Sequence, residues 1–190
     1  MGKNIAIFAS GSGSNAENII KAFESSDIEV KVVLTNNPSA FVIERCERLN
    51  VPCLVFNRVD FKSEDFLDKL DRYEIDFIVL AGFLWKIPEY LIQRYPNEII
   101  NIHPALLPKY GGKGMYGAHV HEAVVTNGES ESGITIHLVD ENYDEGKIIF
   151  QAKCVVAPED NADAVASKVH ELEYEHFPSV IGEYIRNWNF

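Results

Sequence analysis

The sequence predicts an α/β fold: a single doubly wound, mostly parallel sheet with an antiparallel strand pair near its C-terminal half. Three observations predict it. Strand-like apolar runs alternate with helical patterns along the chain, the signature of a parallel sheet. The first strand runs straight into a Ser/Gly turn that opens a helix. The last two strands, 133–139 and 147–156, are separated only by the acidic loop 140–146, too short for a parallel crossover.

The elements follow in order. Residues 4–9 read as a strand, and 14–23 as a helix after the turn. A strand at 28–35 ends in the turn Asn36-Asn37-Pro38, and a helix is expected at 40–49. A short strand at 53–56 precedes an amphipathic helix near 64–72. Residues 76–81 are almost continuously apolar, as in a strand buried on both faces. A short helix at 88–95 leads into a strand at 98–101, and a further helix is expected at 117–126. After the antiparallel pair, a last helix spans 162–184.

The bulk properties set limits. A chain of 190 residues fits one domain, 1–190, and a chain of that size buries roughly 70 % of its unfolded surface. With 46 % hydrophobic and 24 % charged residues it is composed like a soluble globular protein. A formal charge of −12 with no Lys/Arg cluster argues against a nucleic-acid partner. Cys46, Cys53 and Cys154 are scattered and odd in number, which fits reduced thiols. The N-terminus enters a strand pattern at once, so no signal peptide is expected. No apolar run approaches the ~20 residues of a membrane span. A cytoplasmic protein without membrane contact is predicted.

The chemistry concentrates in Asn101-Ile102-His103-Pro104. Two residues is the side-chain period of a strand, so Asn101 and His103 leave on one face. Pro104 places the pair near a strand end, where open parallel sheets keep their sites. An amide donor beside a titratable ring suits acyl transfer: one polarises a carbonyl oxygen, the other manages a proton.

Ser10-Gly11-Ser12-Gly13-Ser14-Asn15 forms the first turn. Free N–H groups at a helix start bind anions. Gly11, Gly13 and Ala16 also satisfy a dinucleotide fingerprint, but no acidic residue ends the second strand to hold a ribose. A phosphate-monoester cradle, a dinucleotide site and a plain tight turn all remain open here. In the acidic loop, Asp144 is the carboxylate expected to approach His103 and favour its charged form. No histidine spacing suits a metal, so none is expected. No nucleophile elbow is present, and Cys154 lies mid-strand.

Phe8 to Asn15, Val79 to Phe83, Asn101 to Tyr110 and Asp144-Glu145-Gly146 occur in order across the chain. Together they resemble the phosphoribosylglycinamide formyltransferases, folate-dependent transformylases of purine synthesis. The resemblance implies the formyltransferase fold. The co-substrate would be 10-formyltetrahydrofolate and the acceptor the amine of glycinamide ribonucleotide, in a monomer or homodimer without metal. It implies Asn101, His103 and Asp144 as catalytic residues. Ser12, Gly13, Ser14 and Asn15 would hold the substrate phosphate and Glu173 its ribose or amine. His170 would add a charge there, although a plain surface histidine fits that position equally. Folate would lie on Leu84, Trp85, Lys86, Ile87 and Asn101, and on Asp140, Glu141, Asn142 and Tyr143. Relatives can carry a basic residue where Trp85 stands, which implies a folate tail held differently here, by Lys86. The acidic loop is one residue longer than in some relatives, and the segment 111–116 is an extended loop expected to act as a lid. Transformylases acting on tRNA carry a further C-terminal domain, and formyltetrahydrofolate hydrolases a further N-terminal one, neither of which fits in this length. Hydrolysis of the folate and noncatalytic folate or nucleotide binding are the rival functions; a dinucleotide oxidoreductase is more distant.

Overall fold

The structure, a computed structural model, describes residues 2–188. The chain divides into two compact units, Met1–Ile100 and Asn101–Phe190.

In the first unit, β1 (Lys3–Phe8), α1 (Ser14–Phe23), β2 (Ile28–Thr35), α2 (Val42–Leu49) and β3 (Cys53–Val55) follow one another. Then come α3 (Arg58–Lys62), a 3-10 turn (Glu64–Phe66), α4 (Leu67–Asp71), β4 (Phe77–Leu80) and α5 (Glu89–Arg94). The strands lie in the order β3-β2-β1-β4, and every pairing is parallel. All four residues of β4 are buried, as its unbroken apolar run requires. β5 (Ile99–His103) carries the chain into the second unit, which continues with α6 (Ala118–Thr126), β6 (Glu131–Leu138), β7 (Ile148–Val155) and α7 (Ala162–Arg186). There the order is β5-β6-β7, and β6 and β7 pair antiparallel. The mixed α/β class expected from the sequence is what forms. Among the described residues no helix is long and apolar enough to cross a membrane.

Two boundaries differ from the expected ones in ways that matter. The helix expected near 64–72 forms as the 3-10 turn followed by α4, and the short helix α3 precedes it outside the expected range. The reason is a pair of caps. Asn57 Oδ1 accepts the N–H groups of Val59 and Asp60 and starts α3 early. Ser63 then adopts extended backbone, which ends α3, and its Oγ accepts the Asp65 N–H to begin the next turn. Conversely, β5 runs to His103, beyond the expected 101, so both Asn101 and His103 are strand residues.

Side chains from these short helices fill one aromatic cluster with β1 and the 83–85 segment. Phe8 meets Phe83 edge-on at 5.4 Å, and Phe61 meets Phe66 and Phe83 at 5.2 and 5.5 Å. Trp85 closes the cluster against Phe56 and Phe61. Edge-to-face pairs of this kind contribute about 0.5–1.5 kcal/mol each beyond burial.

In the second unit, the turn after β5 is fastened by one hydroxyl. Thr135 Oγ1, on β6 and fully buried, donates to the Ala105 carbonyl at 2.7 Å and accepts the Leu107 N–H at 3.0 Å. Gln151 of β7 donates to the same hydroxyl and to the Leu107 carbonyl. The Leu107–Pro108 peptide is cis. Thr135→Val keeps the shape but leaves a buried N–H and carbonyl unsatisfied. Urea unfolding should show a loss of about 1–3 kcal/mol; an unchanged midpoint would mean water replaces the hydroxyl.

Candidate active site

The strand period delivers the expected pair. Asn101 and His103 stand two apart on β5, and Asp144 reaches both neighbouring rings from the β6–β7 loop. Asp144 Oδ2 lies 3.7 Å from His103 Nδ1, and Oδ1 lies 3.7 Å from His137 Nε2. These are ion-pair distances, longer than a direct hydrogen bond. The carboxylate's direct bond is with the Gly112 N–H, at 2.9 Å to Oδ2. Asp144 sits in left-handed backbone (φ 57°). Two residues on, Gly146 leaves no space for a side chain: a Cβ would fall 1.8 Å from the Leu138 carbonyl oxygen. The loop's closure at that glycine is what aims Asp144 inward.

His137 was not among the expected site residues, and it organises the amide. Its Nδ1 bonds to the Leu138 carbonyl at 2.8 Å, so Nδ1 carries the proton and Nε2 is the acceptor. Asn101 Nδ2 donates to that Nε2 at 3.0 Å. This fixes the amide's orientation and leaves its second N–H as a donor. Burial pushes the His137 pKa down, more than the Leu138 carbonyl and Asp144 push it up. The ring therefore stays neutral and keeps its accepting lone pair at neutral pH.

His103 Nε2 donates to the Tyr110 carbonyl at 2.7 Å. Tyr110 itself adopts left-handed backbone (φ 57°), and its hydroxyl donates to Glu129. Glu129 also accepts from Lys109. A backbone carbonyl thus satisfies the ring atom opposite Asp144, a partner no side-chain pattern reveals.

The first turn lies in the other unit. Gly13 caps α1 in left-handed backbone (φ 71°), and a Cβ there would meet Val42 at 2.3 Å. Gly11 has neither a positive φ nor a neighbour within 4 Å of a Cβ. The tight-turn demand that a dinucleotide fingerprint places on its first glycine is missing. The first-turn N–H groups of α1 have no intrahelical carbonyl and suit an anion. Glu17 also sits in that first turn, but Lys21 and Arg45 pair with it and hold its carboxyl low. Arg45 Nε donates to the Ser12 carbonyl and the Val42 N–H to that of Gly11, so α2 braces the turn. Ser10 Oγ accepts the Leu84 N–H at 3.0 Å, tying the turn to the segment expected to hold folate.

In that segment Ile87 is buried, Trp85 half-buried, and Leu84 and Lys86 exposed. Arg58, which the sequence reading passed over, places its guanidinium 4.9 Å above the Trp85 ring. Asp140 accepts the Asn142 N–H in a local turn, and Glu141, Asn142 and Tyr143 are exposed.

On α7, Glu173 is buried in the apolar stripe Val165, Val169, Phe177. His170 Nδ1 lies 2.7 Å from Glu173 Oε2, and this bond raises the His170 pKa. His121, on α6, is buried with no hydrogen-bond partner at Nδ1; burial lowers its pKa, against the pull of Glu173. Among the described residues no three His, Cys, Asp or Glu side chains converge as a metal-ligand set.

An amide donor oriented by a neutral histidine, a second histidine and a shared carboxylate converge at the end of β5, a set of groups suited to polarising a carbonyl and managing a proton. The chain belongs to the formyl transferase family, whose match spans residues 3–181. Within it, the chain is similar to phosphoribosylglycinamide formyltransferases. It is 39 % identical over 188 residues to the chloroplastic enzyme of Arabidopsis thaliana, covering 95 % of this chain and 64 % of that protein. It is 37 % identical to the Haemophilus influenzae enzyme over 94 % of this chain and 85 % of that one. The crystal structure of glycinamide ribonucleotide transformylase 1 from Geobacillus kaustophilus matches with a TM-score of 0.86 at 36 % identity, over 95 % of this chain and 97 % of that one. The chain thus spans less than two thirds of the length of the plant relative.

The His170–Glu173 bond has a pH signature. A raised folded-state pKa contributes stability that is full below the unfolded histidine value of about 6.5 and is lost as pH rises through the folded one. The difference in melting temperature between the wild type and His170→Asn should therefore be larger at pH 6 than at pH 8.5. A difference constant across that range would rule out a titrating pair.

Proposed function

We propose that this protein transfers the formyl group of 10-formyltetrahydrofolate to the amine of glycinamide ribonucleotide, in purine biosynthesis. The observation that carries the reading is the convergence of Asn101, His103 and Asp144, with Asn101 held as a donor by His137. The amine nitrogen attacks the formyl carbon, and the C–O π pair moves to oxygen. Asn101 Nδ2–H and His103 stabilise that oxyanion. The proton leaving the attacking nitrogen passes, with the help of Asp144, to N10 of the folate. The C–N10 bond then breaks and tetrahydrofolate departs.

Ser12, Gly13, Ser14 and Asn15 bind the ribonucleotide phosphate in this reading, and Glu173 with His170 its ribose or amine. The pterin lies along Leu84, Trp85, Lys86 and Ile87 and the loop from Asp140 to Tyr143. Arg58 over Trp85 puts a positive charge, with Lys86, where an anionic folate tail needs one. Segment 111–116 serves as a lid, the protein works in the cytoplasm, and it needs no metal. A binding module would have no use for an oriented oxyanion donor beside a proton carrier.

The test is an absorbance assay of 10-formyltetrahydrofolate with and without glycinamide ribonucleotide. Deformylation that requires the ribonucleotide and yields its formylated product is expected. Turnover indifferent to it would mean a hydrolase, and no turnover would mean a binding protein. Losing one oxyanion donor costs on the order of 3 kcal/mol, so Asn101→Ala should lower kcat roughly a hundredfold or more. His137→Ala frees the amide to rotate but leaves it in place. Its kcat should fall by less than that of Asn101→Ala, and the double variant should be no worse than Asn101→Ala alone. Additive losses would separate His137 from Asn101.

A further inference from the structure

Asn127 and Glu129 belong to no step of the proposed reaction, yet both grip Tyr110. α6 ends in a tight turn. The Asn127 N–H bonds to the Ala123 and Val125 carbonyls, Gly128 adopts left-handed backbone (φ 63°), and the Glu129 N–H bonds to the Val124 carbonyl. From this turn Asn127 Nδ2 donates to the Tyr110 hydroxyl at 2.9 Å, and that hydroxyl donates to Glu129 Oε1 at 2.8 Å. Lys109 Nζ meets both carboxylate oxygens of Glu129, at 2.9 and 3.1 Å.

What the grip holds is backbone. Tyr110 is left-handed (φ 57°), a conformation that a residue with a side chain keeps only where its surroundings fix it. Its carbonyl takes the His103 Nε2–H at 2.7 Å. Two residues on, the Gly112 N–H donates to Asp144 Oδ2 at 2.9 Å. The chain between passes so close that a Cβ at Gly111 would lie 3.3 Å from that of Asp144. One three-residue stretch therefore touches both members of the His103–Asp144 pair.

We propose that Glu129 is a positioning residue for formyl transfer: through the Tyr110 hydroxyl it fixes the carbonyl that sets the tautomer of His103. The role in turnover rests on the formyl-transfer reading, whereas the effect on the ring does not. A carbonyl only accepts, so Nε2 carries a proton whether the ring is neutral or charged. The proton that moves is then the one on Nδ1, which faces Asp144 Oδ2 at 3.7 Å. Without the grip the Tyr110 carbonyl drifts, and the neutral ring can hold its proton on Nδ1 instead. A neutral ring of that form has no lone pair at Nδ1 to receive a proton from the reacting groups. Lys109 is exposed, and an ion pair made there contributes little. The hydroxyl contact is the one that matters.

The experiment compares the full chain with Glu129→Ala, Glu129→Gln, Tyr110→Phe and Lys109→Ala. Long-range nitrogen–proton spectra of the histidine rings, taken with increasing base until their shifts stop moving, report which nitrogen keeps the proton. The His103 signals are identified by their loss in His103→Asn. The wild-type ring should be protonated at Nε2, and Tyr110→Phe and Glu129→Ala should each add a share of the Nδ1 form. In formyl transfer both should lose kcat severalfold with both KM values unchanged, and the double variant should be no worse than either. Glu129→Gln keeps an oxygen for the hydroxyl and should recover most of kcat, while Lys109→Ala should stay near the wild type. Unaltered His103 signals in both variants, or a loss that Glu129→Gln does not recover, would overturn the assignment. A wild type inactive with glycinamide ribonucleotide would sink the transferase reading alone, and the spectra would still decide whether Glu129 sets the ring.

Discussion

The site depends on the two-residue side-chain period of paired strands. On β5 it sends Asn101 and His103 one way and Ile100 and Ile102 the other; on β6 it does the same for Thr135 and His137 against Ile134 and Ile136. The two polar pairs meet: His137 orients Asn101, and Thr135 fastens the turn that follows His103. A slip of one residue would put isoleucines in their place and lose both functions at once. The proposed catalytic geometry and the buried polar bonding of this unit are therefore the same set of contacts.

Under the proposed function, a chain with a net charge of −12 handles anions by local neutralisation. At the first turn Glu17, the acid in the first turn of α1, is occupied by Lys21 and Arg45, so it does not oppose the helix-end N–H groups. At the other unit, Glu129 is occupied by Lys109 and Tyr110 in the same manner. Bulk negative charge opposes polyanions, while the neutralised first turn leaves room for one phosphate.

Much of this was legible in the sequence, because strand alternation, the Asn-x-His spacing and the acid before a loop glycine are local signals. β2 and α1 fall at their expected residues. What was not legible is nonlocal. His137 reads as one more buried strand position until β6 is placed against Asn101, and a backbone carbonyl such as that of Tyr110 leaves no mark on composition. Arg58 gains meaning only once it lies over Trp85. The extra helix at 58–62 and the 3-10 turn at 64–66, where one helix was expected near 64–72, are a different failure. Asn57 and Ser63 are ordinary cap residues in plain view, and the apolar periodicity outweighed them. Glu173 sits between these cases, since an acid on the apolar stripe of α7 marks itself as unusual.

The two glycines of the first turn have unequal freedom, and that shapes how the pocket can diverge. Gly13 is locked by its backbone and by Val42, so any change there displaces α2. Gly11 faces open space on ordinary backbone. A library built at position 11 could add bulk, charge or a new donor beside the cradle while the fold stays as it is. Under the proposed function, selection for a different phosphorylated acceptor has its shortest route there.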